Sequence, residues 1–215
     1  MQRHEIVGLL GTLKLSGMRA AYDEVMADAV ARSLDPAAVL GELRRAEAAE
    51  RHARSIRYRL GIAQLPLAKS LADFQFAGTP VNEGLVRGLH DGGFLHTQRN
   101  AVFCGGTGTG KSHLAIAIAA NCIRNGARSR FFNVVDLVNR LDGEARTGKP
   151  GQLAGQLARL DLVVLDELGY LPFAASGGQL LFHLISRLYE RTSVIVTPNL
   201  SFSEWGDVFG EPTAS

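Results

Sequence analysis

Eight consecutive residues constrain this chain more than any other feature: Gly105, Gly106, Thr107, Gly108, Thr109, Gly110, Lys111 and Ser112 read as G-x-x-x-x-G-K-[ST]. The apolar stretch 101–104 precedes them, and an alternation of Leu, Ile and Ala at helical spacing follows. A loop of this composition between a strand and a helix folds around phosphate groups. Its glycines let successive N–H groups point inward, and the helix start adds a positive dipole end. Lys111 is then the ammonium for the β and γ phosphates, and the Ser112 hydroxyl is a ligand for Mg²⁺. The chemistry expected is binding of a nucleoside triphosphate, ATP, with Mg²⁺. His113 directly follows the loop, as either a helix-facing or a nucleotide-neighbouring side chain.

The rest of the chain supplies the frame that such a loop needs. Beyond it, sequence patterns predict a helix over 111–124, a strand over 130–134, a helix from about 136, a strand over 162–165, a helix over about 179–190 and a strand over 194–197. Alternating helices and nearly uniform apolar strands predict an α/β fold, a parallel sheet sandwiched by helices. The run Leu162-Val163-Val164-Leu165 ends in Asp166 and Glu167. An acid at the carboxyl end of a neighbouring strand lies beside the phosphate loop, so Asp166 is the expected metal holder. Glu167 is then suited to polarise an attacking water.

Upstream, Ile6, Leu9, Leu10 and Leu13 recur at helical spacing, as do Met18, Ala21, Tyr22, Val25 and Ala29. Asp35 followed by Pro36 predicts an N-cap opening a long helix that ends within 61–66. The expected division is a small all-helical domain over 1–68 and an ATP-binding core over 69–215. A linker with a short helix, rich in glycine, leads into the core across 71–93.

Charge is informative only locally. The whole chain of 215 residues carries a formal +2, but from Arg44 to Lys69 seven basic residues meet two acids. Arg44, Arg45, Arg51, Arg54, Arg57 and Arg59 can therefore form a face for DNA phosphates. Equally, Glu47 and Glu50 can pair with Arg51 and Arg54 at helical spacing and leave a solvated surface. The two cysteines, Cys104 and Cys122, lack zinc or redox spacing and are expected as core thiols in a reducing cytoplasm. No apolar run is long enough to span a bilayer, so a soluble, cytoplasmic chain without membrane contact is expected. None of the six histidines falls into a metal-binding spacing. Arg187 and Arg191 read as exposed charges favourable to a helix end. Asn199, after the last strand, is either a group reaching the γ phosphate or part of a Pro-Asn turn.

Several stretches together resemble the IstB-like transposition helper ATPases of insertion sequences, relatives of the DnaC-type helicase loaders in the AAA+ class of P-loop NTPases. They are Leu13-Lys14-Leu15-Ser16-Gly17-Met18, Lys111-Ser112-His113-Leu114-Ala115, Leu165-Asp166-Glu167-Leu168-Gly169-Tyr170, residues 181–193 and Asn199-Leu200-Ser201-Phe202-Ser203-Glu204-Trp205. The resemblance implies an AAA+ core behind a helical N-terminal domain, ATP-dependent self-assembly on double-stranded DNA, and a cognate transposase as partner. It also implies that Asn199 senses the γ phosphate and favours DNA contact by the N-terminal domain. The chain departs from the family pattern at Pro198, where a small hydroxylated residue is usual before the sensor. Family members continue past the point where this chain ends, into an arginine-finger and sensor-2 segment, so binding with poor hydrolysis is the expectation for this sequence.

Three other readings stand beside this one. A helicase loader shares the core chemistry, and an interaction module would bind nucleotide without turning it over. A small-molecule kinase would need an arginine-rich lid, which is not found after the third strand.

Overall fold

The computed structural model describes residues 1–67, 69–169 and 175–199, with the side chains of 175 and 176 excepted. The chain divides into two compact units, Met1–Tyr58 and Arg59–Ser215, and the division falls inside a helix.

The first unit is helical. Helix α1 spans Arg3–Thr12, α2 spans Ser16–Arg32 and α3 spans Pro36–Ala63, its last residues belonging to the second unit. Asp35 caps α3 as its sequence predicts, accepting the Ala38 N–H at 2.8 Å. Ser33 closes α2 in the left-handed region at φ 50°. Gly17 lets α2 approach α3 closely: a Cβ there would lie 2.5 Å from the Ala46 carbonyl oxygen and 2.6 Å from the Glu47 Cα. The same crossing buries Glu47, whose carboxylate accepts the N–H groups of Gly17 at 2.8 Å and Met18 at 3.2 Å. Those are orphan donors of the first turn of α2, so Glu47 caps a helix thirty residues away.

The second unit is built on a parallel sheet with strand order β1-β4-β3-β2 among the described residues, where β1 is Ala101–Val102, β2 Ser129–Asn133, β3 Leu162–Leu168 and β4 Ser193–Pro198. The ladder from β4 reaches one residue past β1, the Phe103 N–H meeting the Val196 carbonyl at 2.9 Å. Helices α4 (Glu83–His90), α5 (Lys111–Arg124), α6 (Val134–Arg146), α7 (Gln152–Leu157) and α8 (Ala175–Leu188) complete it. Strands β3 and β4 are buried along their lengths, as central strands covered on both faces require. One face packs Phe132, Val163, Leu165 and Val194 under α6, α7 and α8; the other packs Phe131, Leu162, Val164 and Ile195 under α5 and α4. This is the predicted α/β sandwich, with α7 in addition.

One expectation is corrected. Cys122 is buried on α5, and burial pushes its thiol up to about 11, but Cys104 is exposed. Strand β1 ends at Val102, so Cys104 already belongs to the loop and leaves the core. Among the described residues no helix is long and apolar enough to cross a membrane.

Candidate active site

Parallel strands all present their carboxyl ends at one edge of the sheet, and the side chains singled out in the sequence gather there. The loop 105–110 leaves β1 and runs into α5. Gly108 and Gly110 take φ of 77° and 87°, a left-handed backbone that a side chain would resist. At Gly110 there is a second reason for glycine, since a Cβ would sit 2.5 Å from the Phe74 ring. Lys111 is only 8% exposed, and its ammonium donates to the Gly105 carbonyl at 2.8 Å and the Gly106 carbonyl at 2.7 Å. Two loop carbonyls thus compensate a charge that would be costly to bury alone, and they hold it over the loop. Thr109 donates back to the Gly106 carbonyl at 2.9 Å, tightening the turn.

Ser112 and Asp166, 54 residues apart in sequence, meet directly: the Ser112 Oγ donates to Asp166 Oδ1 at 2.7 Å. A hydroxyl and a carboxylate side by side are hard oxygen donors of the kind small divalent cations take. Among the described residues no group of three or more His, Cys, Asp or Glu side chains is placed to hold a metal ion. A cation here would draw its remaining ligands from water or phosphate, the usual arrangement for Mg²⁺.

Glu167 stands in an unusual backbone. Its φ is 63°, and the β3–β4 register shifts between Asp166 and Leu168, so Glu167 forms a bulge in β3. A non-glycine residue held there stores on the order of 1–3 kcal/mol, which the surrounding hydrogen bonds must offset. Two residues that sequence reasoning missed supply those bonds. The Asn133 side-chain amide, at the end of β2, donates to Glu167 Oε2, and its carbonyl oxygen caps α6 by accepting the Val135 N–H at 2.9 Å. Thr197, on β4, accepts the Glu167 N–H at 3.2 Å and donates to Asp166 Oδ1. Asn133, Asp166 and Thr197 share one register row across three strands. The signal for both was position alone, a polar residue at the carboxyl end of an apolar strand.

Asn199 lies just past β4, half-buried, and its N–H donates to the Leu168 carbonyl at 2.9 Å, next to the bulge. Pro198 remains paired in register with Leu168. His113 has its Nε2 2.8 Å from the Ser70 carbonyl and its ring edge-on to Phe74. A cleft of about 220 Å³ opens beside the loop, walled by Pro80, Val81, Phe103, Cys104 and Leu114.

The arginines of α3 are mostly paired with acids of the same helix. Arg45 pairs with Glu42, Arg51 with Glu47, and both Arg54 and Arg57 with Glu50. Arg44 makes no ion pair among the described residues, and Arg59, in the second unit, donates to the Gly126 carbonyl. Arg187 is exposed near the end of α8 and Arg191 beyond it. Residues 200–205 of the last resembling stretch lie outside the described residues.

The chain is similar to known proteins over most of its length. The family described as IstB-like ATP binding protein matches residues 8–215. An ATP-binding protein of insertion sequence IS21 from Pseudomonas aeruginosa is 32% identical over 209 residues, covering 97% of this chain and 79% of the relative. That of IS5376 from Geobacillus stearothermophilus is 35% identical over 173 residues, covering 80% and 69%. Among solved structures, the DnaC helicase loader is similar at a TM-score of 0.50 and 26% identity, covering 62% of this chain and 84% of the loader. AMPPCP-bound DnaA from Aquifex aeolicus shares the fold, with a TM-score of 0.52 and 20% identity over 64% and 43%.

Proposed function

This chain belongs to the IstB-like ATP binding protein family, and from that premise we propose that it binds ATP with Mg²⁺, hydrolyses it, and assembles on duplex DNA as the helper of a transposase. The observation that carries the proposal is the direct contact of Ser112 with Asp166 beside the buried Lys111, which joins the phosphate loop to the acid of β3. In this reading the N–H groups of 105–110 cradle the phosphates and Lys111 contacts the β and γ oxygens. Ser112 and Asp166 hold Mg²⁺, which when bound neutralises charge on the phosphates. Glu167 orients and polarises the attacking water, Asn199 reports the γ phosphate, and the apolar cleft by Pro80 and Val81 receives the base. DNA contact is assigned to α3, where Arg44 makes no ion pair among the described residues.

Equilibrium titration with a labelled ATP analogue tests the core of this. Lys111→Ala should abolish saturable uptake, whereas Glu167→Gln should keep uptake and lower steady-state turnover by roughly 10²- to 10⁴-fold. Uptake indifferent to Lys111 would remove the basis of the reading. Assembly is read by sedimentation in ATP and in ADP, with and without duplex DNA; identical sizes in all four would exclude the helper role. The likeness to the DnaC loader supports a second partner, a replicative helicase. Affinity capture with a purified transposase and a purified helicase separates the two.

A further inference from the structure

We propose that Thr197 is a positioning residue that sets the metal affinity of the site by holding Asp166 and Glu167 as one unit. This rests on the ATP and Mg²⁺ reading above and adds to it a residue without a metal or phosphate contact of its own.

Thr197 is 1% exposed on β4, directly opposite Asp166 in register. Its hydroxyl has one proton and lone pairs to accept with, and the surroundings use both capacities. The Glu167 N–H donates to it at 3.2 Å, so its own proton is directed at Asp166 Oδ1. The chain of bonds therefore runs from the Glu167 backbone through Thr197 to the Asp166 carboxylate. It depends on the bulge: without the left-handed turn at Glu167, an ordinary ladder would not leave that N–H for a side chain.

Asp166 Oδ1 receives two hydroxyls, from Ser112 and Thr197. Ser112 has its own proposed duty to the cation, so Thr197 is the partner whose only task is to orient the carboxylate. Groups that orient a metal-holding carboxylate change metal affinity about 10- to 100-fold when removed. A purely structural role would instead lower stability and leave the Mg²⁺ requirement alone.

The test uses the whole chain with Thr197→Val, which keeps the branched shape, and Thr197→Ala, a second route to losing the hydroxyl. Thr197→Ser restores the hydroxyl. Binding of a fluorescent ATP analogue is measured across a Mg²⁺ titration and in excess chelator, with thermal midpoints recorded alongside. The expected result is that Val and Ala variants need about tenfold more Mg²⁺ for half-saturation, with affinity in chelator unchanged within twofold, and that Ser behaves as wild type. An unchanged Mg²⁺ midpoint in either folded hydroxyl-less variant, even with a lowered thermal midpoint, overturns the proposal. So does a serine variant that fails to restore the midpoint. Wild-type binding indifferent to Mg²⁺ is a separate outcome, which removes the metal reading itself and this proposal with it.

Discussion

At the scale of single residues, the acids at the end of β3 are governed by neighbours on the flanking strands. Asn133 ties Glu167 from β2 while capping α6, so replacing it by alanine would disturb two things together. Asn133→Asp separates them, because a carboxylate still caps the helix but repels Glu167. Steady-state ATP turnover should therefore fall in Asn133→Asp, while ATP affinity measured by equilibrium titration stays within about twofold of wild type. Gly110 offers a different test. Alanine there meets both a φ of 87° and the Phe74 ring, and should weaken nucleotide binding as measured by calorimetry.

Among the elements, α2 and α3 approach backbone to backbone at Gly17. Gly17→Ala drives a methyl into the α3 backbone, and a loss of about 1–3 kcal/mol in denaturant unfolding is expected. The Glu47 carboxyl there is held below its ordinary 4.5, first by the Arg51 guanidinium and then by the Met18 and Gly17 amides. A lowered folded-state pKa means that the stabilisation is complete above about pH 4.5 and is lost as pH falls through the lowered value. The thermal midpoint followed by circular dichroism should drop on that acid side, and Glu47→Gln should lower it at neutral pH while flattening its acid dependence. In the second unit the Arg128–Asp161 pair acts alike: the guanidinium holds the Asp161 carboxyl low, and the two residues exchange backbone and side-chain bonds at the start of β2 and β3.

For the whole molecule, the open question is where the available positive charge lies. The basic stretch on α3 is largely answered by Glu42, Glu47 and Glu50, although exposed pairs of this kind are weak and can exchange an acid for a phosphate. If α3 tracks a duplex, Arg44→Gln with Arg45→Gln should weaken duplex binding and reduce the slope of log affinity against log salt by about two. ATP binding, proposed for the loop 105–112, should not change. A slope equal to that of wild type would move the DNA contact away from this part of α3.

The division between what sequence alone determined and what tertiary structure decided follows the range of the interactions. Residues 105–112, the Asp35 cap and the apolar strands were legible because a phosphate loop, a helix start and a buried strand each have a local pattern. Asp166 and Glu167 were legible for a related reason: a parallel sheet sends every strand's end to the same edge, so order along the chain predicts place in the fold. Thr197 and Asn133 were not legible, because their roles exist only across strand pairs and depend on a one-residue bulge at Glu167 that shifts the register. Cys104 and Glu47 were misjudged or left open for the same cause, since exposure and capping were set by where a strand stops and where two helices cross. Local chemistry is written in neighbouring letters, while the orientation of a carboxylate is decided by whichever side chain the completed sheet brings beside it.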